Sequence, residues 1–264
     1  MNSIDKQKFK DTAKFILQMA RNDFKVKYAG AYLGLIWSFV QPIITILIYW
    51  FVFQVGFKTT PVQNVPYIVW FICGIIPWFF ISDCVLTGMT SILEYAYVVK
   101  KVIFNVRILP IVKIVVATFI HCVFLILMFL ITWGAGTQLS IYNIQVIYYS
   151  LGIIVLCIGF AYLAAALVPF LKDMTQIVSI IMQFGFWLTP IVWNYEVISP
   201  QYLWILKLNP AFYIIQGYRD ALIGHVWFWE RPLSTLVFWF TAIAILVIGV
   251  KIFDKLRPHF ADVL

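Results

Sequence analysis

The chain has 264 residues, of which 63% are hydrophobic and only 11% charged. Soluble domains average about 45–50% apolar and about 25% charged residues, so this composition excludes a soluble globular class and requires an integral membrane protein. The net charge of +8 is explained by membrane topology and calls for no nucleic-acid partner.

In lipid, an apolar run satisfies its backbone most simply by intrahelical bonding, and the alternation of a barrel strand is absent, so an all-α membrane fold is expected. The first 27 residues come before the apolar runs. Phe9, Ala13, Ile16, Leu17, Ala20 and Phe24 recur at three- and four-residue steps with Lys and Asp between them. That pattern describes an amphipathic helix lying in the membrane interface with its basic face toward anionic headgroups. The segment is too charged for a secretory n-region and the run after it too long for a cleavable h-region, so no cleavage is expected.

A helical span needs about 20 mostly apolar residues, and the distances between charges locate six. Residues 28–57 carry no charge; they exceed one membrane thickness, which tilt or a kink at Pro42 accommodates. The second span covers 67–88 with Pro77 inside it. The third and fourth, 111–133 and 146–169, are divided by the turn-rich GAGTQLSIYN at 134–143. The fifth and sixth are 174–195 and 232–250. With six spans both termini share a side. Fifteen of the nineteen Lys and Arg residues then fall on the terminal side, against Lys58, Lys207, Arg219 and Arg231 on the other. The positive-inside rule therefore places both termini in the cytoplasm and the chain in the cytoplasmic membrane.

Two segments outside the spans carry pattern of their own. SILEYAYVVKKVIFNVRILP, 91–110, lies between spans two and three. Read as a helix, it sets Ile92, Tyr95, Val99, Val102 and Val106 on one stripe and Glu94, Tyr97, Lys101 and Asn105 on another. One face can rest on the spans while the other meets a soluble partner. Residues 197–230 are rich in aromatics, including Tyr202, Trp204, Phe212, Trp227, Phe228 and Trp229, but too often interrupted by charge to cross the bilayer. Pro200, Pro210 and Gly224 punctuate them into two short helices that re-enter the outer leaflet without spanning it. Backbone breaks at that depth are tolerated against protein or a water-filled cavity, which makes this segment an outer gate.

The sequence offers little for catalysis. It holds no GxxxxGK[ST] phosphate loop, no HExxH and no GxSxG. His121, His225 and His259 are far apart, and Cys73, Cys84, Cys122 and Cys157 sit within spans without metal-ligand spacing, as small packing residues. Asp83 and His121 are the ionisable groups nearest the interior of a span, too few for ion coupling. What is abundant is aromatic surface: 24 Phe, 14 Tyr and 11 Trp. Amphipathic rings give sugars apolar contact without deep charged sites. FGFWLTPIVW, in the fifth span, adds Thr189 and Pro190, a local break suited to a cavity wall.

The order of these pieces resembles a known family. FKVKYAGAYLGLIWSFVQP (24–42), KKVIFNVRILP (100–110), LKD (171–173) ahead of FWLTPIVW (186–193), and LNPAFYIIQGYRDAL (208–222) are similar to the transmembrane subunit of ABC type-2 exporters of lipid-linked polysaccharides, which move O-antigen, capsule and teichoic acid. The resemblance covers nearly the whole chain as a single transmembrane domain. It implies a homodimer of six-span subunits with two copies of a separate P-loop ATPase, which binds the ATP and Mg; this chain would need no cofactor and perform no catalysis. Residues 91–105 would be the coupling helix, with Glu94, Tyr97, Lys100, Lys101 and Phe104 toward the ATPase. Asn209, Pro210, Tyr213 and Arg219 would belong to the outer gate. Trp37, Tyr49, Phe184, Trp187, Thr189 and Pro190 would line the glycan path, and Arg21, Lys25 and Tyr28 the lipid entrance. Related sequences commonly carry Phe-Pro after the coupling-helix lysine; here the residues are Ile103, Phe104 and Asn105. O-antigen of lipopolysaccharide is the expected cargo. A teichoic acid or capsule exporter, or an exporter of drugs or small lipids, has the same architecture, whereas a membrane enzyme lacks a catalytic constellation and an ion-coupled carrier lacks buried charge.

Overall fold

The structure is a computed structural model and describes residues 3–29, 34–62, 65–101, 105–171 and 173–264. Among the described residues the chain is helical, with one isolated bridge between Val62 and Val65 and no strand. The helices are α1 (Ser3–Ala29), α2 (Trp37–Trp50), α3 (Tyr67–Glu94), α4 (Ala96–Lys101), α5 (Ile108–Gly134), α6 (Gln145–Leu167), α7 (Met174–Leu188), α8 (Leu203–Leu208), α9 (Pro210–Arg219), α10 (Pro232–Leu256) and α11 (Phe260–Val263).

Five of these, with their extensions, are long and apolar enough to cross a membrane: Trp37–Gly56, Tyr67–Glu94, Ile108–Gly134, Ile141–Leu167 and Pro232–Val263. The expected fifth span is shorter than its sequence pattern. α7 has 15 residues, or about 22 Å at 1.5 Å per residue, less than a hydrocarbon core of about 30 Å. The cause is local. Thr189 precedes Pro190, whose ring disfavours the helical conformation at the residue before it, and Thr189 is extended at φ −90°, ψ 132°. α2 shows a related irregularity, continuing beyond Trp50 as a π-helical turn over Phe51–Gly56.

α3 is the central element. Its sides are covered by α5, α6, α9, α7 and α2, and it buries residues around its whole circumference, from Tyr67 and Trp70 to Ser91 and Ile92. α6 and α10 form the other extensive contact. Lipid offers apolar surface as good as another helix, so such contacts depend on close approach of small residues. At Gly159 a Cβ would stand 2.7 Å from the backbone nitrogen of Leu246, and Gly249 faces the Gly159 carbonyl. Where α3 meets α6, a Cβ on Gly88 would be 2.7 Å from that of Ala161.

By contrast, α2 and α7 leave large surfaces uncovered. α2 buries Ile46 alone and α7 buries none of its residues. Phe184 and Trp187 on α7 are 64% and 52% exposed. At the end of the bundle that holds both termini, a separate cluster joins Ile92, Val106, Leu109, Tyr162, Phe253 and Phe260, with Met19 of α1 and Tyr95 and Val99 of the following segment packed on it.

Replacing Gly159 with Val should destabilise the α6–α10 contact, since the neighbour at that point is backbone and cannot swing aside. Overpacking of this kind costs about 1–3 kcal/mol, occasionally more. We expect a lower detergent-solubilised melting temperature for Gly159→Val, with Gly134→Val, where a Cβ meets no neighbour, unchanged.

Candidate functional site

The segment between α3 and α5 differs in detail from the expected helix 91–105. α3 runs on to Glu94, Tyr95 leaves the helical conformation at φ −104°, ψ 20°, and α4 covers Ala96–Lys101. Ile92, Tyr95, Val99 and Val106 pack toward the bundle; Val102 lies outside the described residues. On the opposite side Tyr97 is 69% exposed and Lys100 is exposed. The side chain of Lys101, and Phe104 altogether, lie outside the described residues.

Glu94 is engaged within the chain. Lys113 Nζ donates to Glu94 Oε2 at 2.6 Å and to Asp23 Oδ1 and Oδ2 at 2.8 and 3.0 Å. The Tyr95 hydroxyl donates to Asp23 Oδ1 at 2.7 Å, and Thr90 donates to the other Glu94 oxygen. Burial, and then the adjacent Asp23 carboxylate, push the Tyr95 phenol above its ordinary range, so it remains a donor. Three elements are tied here: α1 through Asp23, the end of α3 through Glu94, and α5 through Lys113. The Lys113 and Asp23 side chains are only 7% and 10% exposed, against 48% for Glu94. The pair is thus desolvated enough that removing one partner strands the other. Beyond α4, Arg107 Nε donates to Asp254 at 2.7 Å, fixing the chain to α10.

At the other end, the expected gate residues form a buried joint. Arg219, the last residue of α9, is wholly buried. Its guanidinium carbon lies 3.4 Å from the centroid of the Trp70 ring, and its nitrogens donate to the carbonyls of Pro190 at 2.8 Å, Ile191 at 3.0 Å and Trp70 at 3.4 Å. The break after α7 frees the first two carbonyls, and a planar fork with five donors can serve both. Gly74 makes room: a Cβ there would be 2.7 Å from the guanidinium. Asn209 caps α9 by accepting from the Ala211 amide at 3.0 Å and donates to Thr189 Oγ1 at 2.8 Å. Pro210 begins α9, and Tyr213 is buried with its hydroxyl against Thr235 and Tyr148.

The residues expected along the path fall in different surroundings. Thr189 and Pro190 are buried, and Thr189 lies in the wall of a cavity with Trp78, Gly185 and Asn209. Tyr49 packs within the chain, its ring 5.5 Å from Phe186 and 5.8 Å from Phe71. Phe184 and Trp187 remain on the open face of α7, and Trp37 is 49% exposed at the start of α2. Arg21 and Lys25 are exposed on α1, and the Tyr28 side chain lies outside the described residues. Sequence reasoning missed Asp23, Lys113, Trp70 and Gly74. Lys113 had a visible signal, a lone cation at the start of an apolar run, whereas Trp70 and Gly74 had none.

Both polar joints can be tested by substitution. Lys113→Met should destabilise the protein by about 3–5 kcal/mol, since it strands a buried carboxylate. Arg219→Lys keeps the charge but replaces the fork by a point donor, and each buried carbonyl left unpaired costs about 1–3 kcal/mol. Thermal unfolding in detergent measures both; wild-type stability in either variant would remove that joint from the account.

Residues 15–223 match the family model described as ABC-2 type transporter. The chain is also similar to curated relatives along its length. An O-antigen export system permease protein RfbA of Klebsiella pneumoniae is 27% identical over 252 residues, covering 94% of each chain. A second protein of that name from the same organism and one from Myxococcus xanthus are each 25% identical over the same shares. With a helical membrane bundle among the described residues and a family match over most of its length, the chain belongs to the ABC-2 type transporter family, as a permease subunit.

Proposed function

We propose that this chain is the permease subunit of an ATP-driven exporter that carries a lipid-linked polysaccharide, O-antigen of lipopolysaccharide first among them, across the cytoplasmic membrane. The observation that carries this reading is the agreement of three relatives, each covered over 94% of its length, on one export name.

In this reading the permease is a homodimer with both termini in the cytoplasm. Support comes from α2 and α7, whose apolar faces are uncovered within one chain, as expected of surfaces that meet a second copy or frame a shared path. Two ATPase subunits, holding the ATP and Mg, dock under α4, where Tyr97 and Lys100 are exposed. Their movement reaches α3 and α5 through Glu94 and Lys113. The glycan passes along Phe184, Trp187 and neighbouring rings of α7. Weak, repeated contacts suit a polymer in transit, since a deep specific site would hold it. No bond of the cargo is made or broken by this chain.

Loss of the permease should leave lipid-linked glycan on the cytoplasmic face and deplete it from the cell surface; normal surface glycan in a deletion strain would overturn the assignment. Reversing charge with Lys100→Glu and Lys101→Glu should lower ATPase co-purification while the permease still inserts, and unchanged co-purification would remove both lysines from the contact. Phe184→Ala with Trp187→Ala should slow surface display with ATPase assembly intact, and full export would remove these rings from the path.

A further inference from the structure

Between the start of α2, the half of α3 nearer the termini, and α5 lies a cleft of about 370 Å³, which the coupling segment does not reach and to which Trp37, at the start of α2, contributes one wall. An ion pair stands at its mouth: Lys27 Nζ, from the last turn of α1, is 3.1 Å from Asp83 Oδ1, with 35% and 33% of the two side chains exposed. Asp83 is the seventeenth residue of α3, about 24 Å along it at 1.5 Å per residue. In a hydrocarbon core of about 30 Å that depth approaches the boundary of the leaflet on the terminal side. Gln41 and Ser82 add an amide and a hydroxyl. Most of the remaining wall is apolar, including Ile76, Phe79, Ile120 and Phe124, with the Phe79 and Phe124 rings 6.4 Å apart; Ser38 and His121 also line it, the latter paired with the Tyr218 hydroxyl.

The chemistry of the mouth restricts what fits. With about a third of each side chain exposed, the pair adds little as a structural tie, and a ligand that carries both charges can exchange partners with it. A purely anionic headgroup placed against Lys27 would stand beside the Asp83 carboxylate and be repelled by it. A headgroup with an anion and a cation on neighbouring atoms meets both residues with complementary charge. A primary ammonium also brings N–H donors for Asp83 and for the Gln41 carbonyl oxygen, which a quaternary ammonium lacks. The apolar walls suit an acyl chain, but a chain gains little by leaving lipid for an equally apolar cleft. Selectivity therefore resides in the headgroup.

We propose that this cleft is a binding site for a zwitterionic phospholipid with a primary ammonium headgroup. Its phosphate sits at Lys27, its ammonium at Asp83, and one acyl chain runs along the Phe79–Phe124 wall. The lipid wedges α1 and α2 against α3 and α5 on the terminal side of the membrane. Its headgroup chemistry does not depend on which glycan is exported.

The test is lipid retention by the full-length permease after incubation with equal amounts of dioleoyl phosphatidylethanolamine, phosphatidylcholine and phosphatidylglycerol, read by native mass spectrometry. Phosphatidylethanolamine should be retained about tenfold over each of the others, equivalent to about 1.4 kcal/mol. Asp83→Asn should abolish its advantage over phosphatidylcholine, and Lys27→Gln should reduce its retention. Preference for phosphatidylglycerol would identify an anion site instead, and equal retention of all three would identify unselective boundary lipid. Either result, or an undiminished preference in Lys27→Gln, overturns the proposal.

Discussion

A chain that leaves the helix inside a membrane must find partners for its free carbonyls, and just past the end of α7 an arginine serves two of them. α7 ends at Leu188, and the guanidinium of Arg219 takes up the carbonyls of Pro190 and Ile191 against the face of Trp70. An arginine buried without a carboxylate is costly, so the arrangement persists only if the carbonyl dipoles and the ring together replace water. The consequence is positional. The end of α7, the end of α9 and the first third of α3 are held as one joint, and the Asn209–Thr189 hydrogen bond ties the start of α9 to the same break.

α3 reaches the polar joints at both ends of the bundle. Trp70 and Gly74 seat Arg219 near its start, while Glu94 at its end shares Lys113 with Asp23 of α1. Between them the helix is continuous and mostly buried. In the proposed function, a load delivered at α4 would enter a rod already fixed to α1 on one side and to the broken end of α7 on the other. α2 and α7 pack on this rod yet keep large exposed apolar surfaces, which the proposed function assigns to a second subunit and the cargo.

The class and the helical architecture were legible because lipid imposes a one-dimensional rule: long uncharged runs must be helices. The interfacial helix and the stripe Ile92, Tyr95, Val99 and Val106 followed from periodicity alone. What the sequence concealed were facts of three-dimensional neighbourhood. Thr189 and Pro190 marked a break, yet nothing in FGFWLTPIVW says that the break turns inward toward an arginine thirty residues later. Glu94 falls on the ATPase-facing stripe when the coupling segment is read alone, because Lys113 and Asp23, which it and Tyr95 meet, are distant in sequence. No Gly or Pro marks the break at Tyr95, whose hydroxyl joins that same cluster.

The central claim is that this permease moves a lipid-linked glycan only when a separate ATPase drives it. Vesicles reconstituted with the chain, its ATPase and a polyprenyl-linked O-antigen glycan in the ATPase-facing leaflet test it directly. The account predicts that glycan becomes accessible on the opposite face only when both proteins and hydrolysable ATP are present. Equal transfer by the permease alone, or ATP hydrolysis without transfer in the complete system, would contradict it.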